Sequence, residues 1–333
     1  MLLLSAQYTL SKARVSERTR LESVLAKQER RVRQAFVGFV AETTSERTMR
    51  EVRQYLERND IQAAMKVVNQ HVVALGRVIP QAFTDVAGAE AKTLATRITN
   101  RSRVAIGFDA SNQRAAQLMR QSQLQFVSGL TNSQAAATRK ALATTLAQGG
   151  SVRDAARAFR NSIGLTESQL DAVESYRAAL ERNSAQALGR ALRDRRFDST
   201  VERAVESGEL LETSQINRMV DRYREQMLSL RAETIARTES LGVVSAARHE
   251  ATTQLMEQVG FGEGEVTRTW RATQDKRTRD SHADMDGQTV GLNEPFVSGL
   301  GNELMYPGDQ SAPAGDRINC RCTVTIGFTD PDE

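Results

Sequence analysis

The chain is expected to be mainly α-helical: an extended helical N-terminal region, a long stalk helix, and a small α+β domain at its C-terminal end. Three observations predict this. Residues 1–260 hold only one of the five prolines, Pro80, and their runs of Ala, Arg, Gln, Leu and Glu suit helix. Residues 261–333 carry the other four prolines, many glycines and short β-branched runs such as Val324, Thr325 and Ile326, which suit turns and strands. Charge divides at the same place: the C-terminal part has seven Arg and Lys against thirteen Asp and Glu, net −6, leaving net +10 for the rest and an overall +4. The domains read from these breaks are a helical region over 1–212, a connecting helix over 213–260 and an α+β domain over 261–333.

The elements follow in order. From Ser11 to about Phe39, Val15, Leu21, Val24, Leu25, Val32, Phe36 and Phe39 recur at threes and fours, the period of a helix with one buried face. Thr44 or Ser45 can cap a second helix carrying Met49, Val52 and Leu56, which Asn59 and Asp60 break. The pattern resumes from Ile61 to Gly76, and Pro80 suits the first turn of the next helix. The stretch Thr99–Asn112 is polar and contains Gly107, so a turn or break is expected there. Asp109 or Ser111 would cap a helix through Phe126, residues 128–133 would form a loop, and Thr138–Ala147 would be helical again up to Gly149 and Gly150. Ser151 caps a short helix ending at Gly164, and Thr166 with Gln169 makes a capping box for the next. Two short helices about Gly164 have the outline of a helix-turn-helix, but a packed helical hairpin is the favoured reading. The most regular element starts after Thr213 or Ser214, where Ile216, Met219, Val220, Tyr223, Met227, Leu230 and Ile235 step by threes and fours. Continued to about Gln258, this stalk helix would be roughly 65 Å long, with Gly242 a place for it to bend.

Composition also excludes some functions. The start, MLLLSAQYTLSKARV, lacks a basic leader and an apolar run long enough for a signal peptide or membrane span, so synthesis in the cytoplasm is expected. Two cysteines one residue apart do not make a disulfide scaffold, because a bridge between them would close a strained ring. Aromatic residues are only 5% of the chain, so the helices could form an array that needs partners to bury its apolar stripes. Arg outnumbers Lys 39 to 6, and its planar fork suits phosphate. Nonspecific contact with a DNA backbone is therefore considered, although Asp and Glu alternate with the Arg as they do on solvated helix faces.

The special chemistry lies between Arg268 and Phe328, which holds the only Trp, Trp270, both Cys, and His282. A calcium loop does not fit DSHADMDGQTV, because with Gly287 as the turn glycine His282 falls in the first ligand place and Asn293 in the twelfth. Cys320 and Cys322 precede an apolar run, and residues two apart on a strand share a face. Both sulfurs can therefore point to one site, with His282 as a third zinc ligand and Asp309, Asp275 or water as the fourth. The alternative is a reduced buried pair beside a hydrogen-bonded histidine. Trp270 is read as core, Asp275, Arg277 and Arg279 as a local ion-pair set, and Tyr306–Asp309 as a turn.

These residues resemble a known family. Ile235–Ser240 (IARTES, with Arg237, Thr238 and Glu239), Trp270–His282 (with Asp275 and Arg279), Asp286–Gln288 (with Gly287), Tyr306–Asp309 (with Pro307 and Gly308) and Ile318–Cys322 (with Asn319 and Arg321) occur in the order seen in phage Mu F-like minor head proteins. The resemblance implies a minor head protein of a tailed phage or prophage. Such a protein would be made in the host cytoplasm and sit in the virion head, at the portal or inside the procapsid, in one or several copies. Its partners would be the portal protein, the major capsid or scaffolding protein and the packaged double-stranded DNA, with which it could be ejected. The family's His and C-x-C positions fall on His282, Cys320 and Cys322. Domains of this type also accompany bacterial toxins, but only five residues follow Phe328 and no catalytic constellation is visible upstream. A metal-dependent hydrolase or nuclease built on His282, Asp284, Asp286 and the cysteines is the remaining alternative. The expected reading is not an enzyme.

Overall fold

In the computed structural model, residues 8–10, 16–100, 107–260, 262 and 264–328 are described. The elements in order are β1 (Tyr8–Leu10), α1 (Glu17–Thr43), α2 (Glu46–Glu57), α3 (Ile61–Gly76), α4 (Val78–Arg97), β2 (Ile98–Asn100), α5 (Gln113–Ala147), α6 (Val152–Ser162), α7 (Glu167–Glu181), α8 (Asp198–Ser207) and α9 (Thr213–Val259). Then come β3 (Val266–Arg271), α10 (Asp280–Ala283), β4 (Thr289–Gly291), β5 (Phe296–Val297), β6 (Glu303–Leu304), α11 (Ala314–Arg317) and β7 (Thr323–Phe328). The chain is thus mainly α with a small α+β region at its C-terminal end, as the composition predicts. It divides into two compact units, each made from separate stretches of sequence: residues 1–34, 76–126 and 234–333 in one, 35–75 and 127–233 in the other. The cuts fall inside α1, α5 and α9 and at the last residue of α3, away from the composition break near Gly260.

The second unit is all helix, and its apolar stripes are buried within the chain. Leu170, Val173, Tyr176 and Leu180 of α7 pack with Ile216, Met219, Val220, Tyr223 and Met227 from the first part of α9. Tyr176 and Tyr223 stack with ring centroids 4.5 Å apart. Three of the anticipated caps are present. Ser45 accepts from the Thr48 N–H, and Ser151 with Asp154 and Thr166 with Gln169 form capping boxes. Gly164 has φ +80, and a Cβ there would lie 2.7 Å from a Val40 methyl and 2.8 Å from one of Leu228. The α6–α7 turn is therefore buried, as in a packed hairpin.

Two expectations need correction. The loop expected over residues 128–133 is helix, because α5 runs unbroken from Gln113 to Ala147. Phe126, Leu130, Gln134, Ala137 and Thr138 are buried along it, and burial of that stripe outweighs the weak helix propensity of Ser128, Gly129, Thr131 and Asn132. The cap of α5 is neither Asp109 nor Ser111. Asp109 accepts from the Ser111 N–H, whereas the Asn112 side-chain oxygen accepts from the N–H groups of Arg114, at 2.9 Å, and Ala115. The first helix begins at Glu17, while its anticipated start over residues 11–15 lies outside the described residues. An antiparallel pair, β1 with β2, was not anticipated; Tyr8 faces Asn100 and Leu10 faces Ile98.

In the first unit, β3 is the centre of a three-stranded antiparallel sheet of order β4-β3-β7. Val266, Arg268 and Trp270 face inward, alternating with Thr267 and Thr269. Val266 and Ile326 pack on Leu94 of α4 and Leu255, Met256 and Val259 of α9. Arg268 is an inward charge that periodicity would not assign to a core. Its guanidinium donates to the carbonyls of Gly291, Glu294 and Met305 and lies 5.1 Å from the Phe296 ring centroid. Burial holds its pKa down to about 10, and the carbonyl bonds satisfy its donors. Across α1, α4, α9 and β7, Arg248 donates to Glu17, to Glu90 at 3.2 Å and to the Val324 carbonyl at 3.0 Å, while Arg20 donates to Glu90 at 2.5 Å.

Candidate metal centre

The site is built by folding the segment after β3 back onto the segment before β7. Trp270, at the end of β3, is fully buried with Met285, Phe296, Leu304, Cys320, Cys322 and Val324 around it. Its backbone closes the intervening loop: Trp270 N–H donates to Gln288 O and Gly287 N–H to Trp270 O, both at 2.9 Å. Inside the loop, Asp286 accepts from the Ala272 N–H and from the Gln274 amide, each at 2.8 Å. Three ties then join this loop to the cysteine turn. Thr273 donates to Arg321 O at 2.8 Å, Arg279 donates to Ile318 O, and Arg321 forks onto both oxygens of Asp275 at 2.6 Å each. Beside that guanidinium, and accepting also from the Arg277 N–H, the Asp275 carboxyl is held well below the usual range.

The ties bring His282, on α10, over the two cysteines. Its Nδ1 lies 3.5 Å from Cys320 Sγ and 3.5 Å from Cys322 Sγ, and all three residues are at most 2% exposed. The ligand atoms of the three lie within 4.8 Å of one another, so the group could hold a metal ion. Two sulfurs and an imidazole nitrogen form a soft donor set suited to tetrahedral zinc. Both cysteines are free. The neighbouring Cys320 sulfur, with His282 adding to the effect, draws the Cys322 thiol down, while Cys322 and burial push Cys320 up. The Trp270 ring meets the imidazole edge-on, with centroids 5.7 Å apart and planes at 89°, which limits how the histidine can turn. A cavity of about 610 Å³ is lined by Arg237, Arg271, Thr273, Asp286, Cys320 and Arg321 among others, and gives an approach to the cysteine turn.

The two carboxylates considered as fourth ligand are not brought to this group. Asp309 accepts from the Met305 N–H at 2.8 Å and from the N–H and hydroxyl of Ser311 at 2.9 and 2.7 Å, which explains it as the organiser of its own turn. Asp275 is committed to Arg321. The carboxylate beside the imidazole is Asp316, which the sequence reading missed; its Oδ1 lies 3.3 Å from His282 Nε2. The available signal was its place four residues before Cys320, about one helical turn.

Similarity to known proteins falls on the same region. Residues 195–325 match the family described as Phage Mu protein F like protein. The likeness to the Mu F-like family is carried by those residues. Two relatives share 33% identity with the chain: protein YqbB of Bacillus subtilis (strain 168), over 98 residues, and minor head protein GP7 of Bacillus phage SPP1, over 103 residues. These matches cover 28% and 31% of the chain, and 30% and 32% of the relatives, so the chain spans about three-tenths of their length. No solved structure gives a significant match.

Within the Mu F-like region, the signature residues act largely as ties between α9 and the C-terminal turns. Thr238 Oγ1 accepts from the Asn319 N–H at 3.0 Å, and Arg237 reaches the Asn319 side chain at 3.5 Å. Asn319 has φ +56, a left-handed conformation that asparagine tolerates better than most residues. The half-buried Glu239 carboxyl has its pKa raised by desolvation, with Arg317 opposing the shift. Gly308, beside Pro307, has φ +77, and a Cβ there would lie 2.9 Å from the Gly242 nitrogen. At Gly242 a Cβ would lie 2.8 Å from Gly308 O. The turn and the helix thus meet backbone to backbone. Gly242 serves that approach, and α9 is continuous through it.

Proposed function

We propose that the protein is a minor head protein of a tailed phage or prophage, acting in head morphogenesis. The observation that carries this reading is the Mu F-like match over residues 195–325, together with likeness to a protein whose name is minor head protein GP7. Its place would be at the portal or inside the procapsid, with portal, major capsid or scaffolding protein as neighbours and the packaged DNA within reach. An excess of Arg over Lys of 39 to 6 supports nonspecific contact with phosphates. In this reading His282, Cys320 and Cys322 hold Zn²⁺ as a structural clasp and the protein is not an enzyme. A thiolate-bound metal would replace several weak contacts between the His282 and cysteine segments by strong ones.

The test is quantitative mass spectrometry of procapsids, DNA-filled virions and shells emptied by triggered ejection. Presence in the first two supports the reading, and loss from the third adds departure with the genome. Equal amounts in all three indicate a fixed head or portal component. Absence from every particle overturns the head-protein reading.

A further inference from the structure

We infer that Asp316 is the residue that positions His282 for metal binding, so that Nδ1 enters the coordination sphere and Nε2 carries the proton. This rests on the metal reading above and adds a residue and a tautomer to it. His282 has its two nitrogens in different surroundings: Nδ1 faces both sulfurs at 3.5 Å, and Nε2 faces Asp316 Oδ1 at 3.3 Å. Both His282 and Asp316 are 1% exposed. Nε2 is buried without an aligned hydrogen-bond partner, although this carboxylate is within reach, so a small turn of the ring would complete the bond.

A neutral imidazole has one N–H and one lone pair. If Nδ1 gives its lone pair to a cation held by the two sulfurs, the proton must be on Nε2, where the neighbouring acceptor is Asp316. A carboxylate receiving that proton fixes the ring orientation and makes the ligating nitrogen more basic. Asp316 is itself held in place. Its Oδ2 accepts from the Asn302 amide at 2.8 Å, and its Oδ1 lies 3.5 Å from Ser281 Oγ. Residues from α10, the segment joining β5 to β6, and α11 therefore converge behind the histidine. This built carboxylate–imidazole pair distinguishes the group from three ligand-type residues that happen to be near one another. Asp309, one of the candidates for a fourth ligand, instead accepts from Met305 and Ser311 in its own turn.

The experiment uses the full chain, purified and loaded with Zn²⁺, with affinity measured by competition against a chromophoric chelator. The chain has three histidines, so labelling them with ¹⁵N lets NMR identify the protonated and metal-bound nitrogens of His282. The wild type is expected to bind about one Zn²⁺ with Nδ1 ligated and Nε2 protonated. Asp316→Asn is expected to weaken Zn²⁺ binding about 10- to 100-fold with unchanged helix content, and Asp316→Glu to restore part of the loss. Cys320→Ser should cost more than either. Ligation through Nε2, or equal affinity for wild type and Asp316→Asn, would overturn the proposal while leaving the metal site standing. Wild-type protein that takes up no Zn²⁺ would overturn the metal reading and this inference together. The wild-type tautomer decides the matter even if an Asp316 variant fails to fold.

Discussion

At single residues, the close backbone approach at Gly308 and the half-buried ring of His249 each make a measurable prediction. Gly308→Ala must place a Cβ at φ +77 and 2.9 Å from the Gly242 nitrogen, so thermal denaturation should show a loss of roughly 2 kcal/mol or more. Gly129→Ala, inside α5 with nothing within 4 Å of the added carbon, should instead stabilise by about 0.5–1 kcal/mol. A loss at both sites would mean that the close approach at Gly308 is not what matters. His249 lies with its ring centroid 5.8 Å from that of Tyr306, and burial first, then Arg268 and Arg114, hold its pKa down to about 3. Below the unfolded value of about 6.5, the unfolded chain binds this proton and the folded chain does not. Stability should therefore fall as pH drops from about 6.5 towards 3, with this group contributing up to about 1.4 kcal/mol per pH unit. Denaturant melts of wild type and His249→Phe across that range check this, and identical slopes would remove His249 from the account. Sequence reading brought His282 to the cysteines because ligand chemistry is legible in residue type. It missed Asp316, and it could not foresee that Asp309 is engaged in its own turn, because the direction of a carboxylate is set by the folded turns and not by residue type.

At the level of elements, the caps at Ser45, Ser151 and Thr166 and the regular stripe of α9 were readable because they depend on neighbours within a few residues. The continuity of α5 was not readable, since its polar middle is held from outside. Gln134 in that helix is fully buried and donates to Thr138 Oγ1 at 3.0 Å and Ser162 O at 3.1 Å, while accepting from the Gly164 N–H at 2.8 Å. Its carboxamide joins α5 to the α6–α7 turn. Gln134→Ala would leave buried groups of that turn without partners and should cost about 2 kcal/mol or more, measurable as a lower denaturation midpoint. A cost below about 0.5 kcal/mol, the scale of ordinary surface changes, would show that the turn is held by packing alone. The pairing of β1 with β2 was equally hidden, because it joins residues about ninety positions apart.

For the molecule as a whole, composition reported the chemical character of the two ends of the chain, whereas contacts define units of mixed sequence origin. One unit needs residues 1–34, 76–126 and 234–333, and the other needs only 35–75 and 127–233. During synthesis, the second set is complete once Glu233 has emerged. The first set must wait for β7, because Trp270 pairs with Val324 and Val266 with Phe328. At roughly 5–20 residues per second, the intervening residues take about 5–20 s to make. Through that interval, Leu21 of α1, buried in the finished protein near Val324 and Ile326 of β7, has no completed sheet to pack beside. Burial of that helix face is thus set by the arrival of β7, an edge strand of the three-stranded sheet.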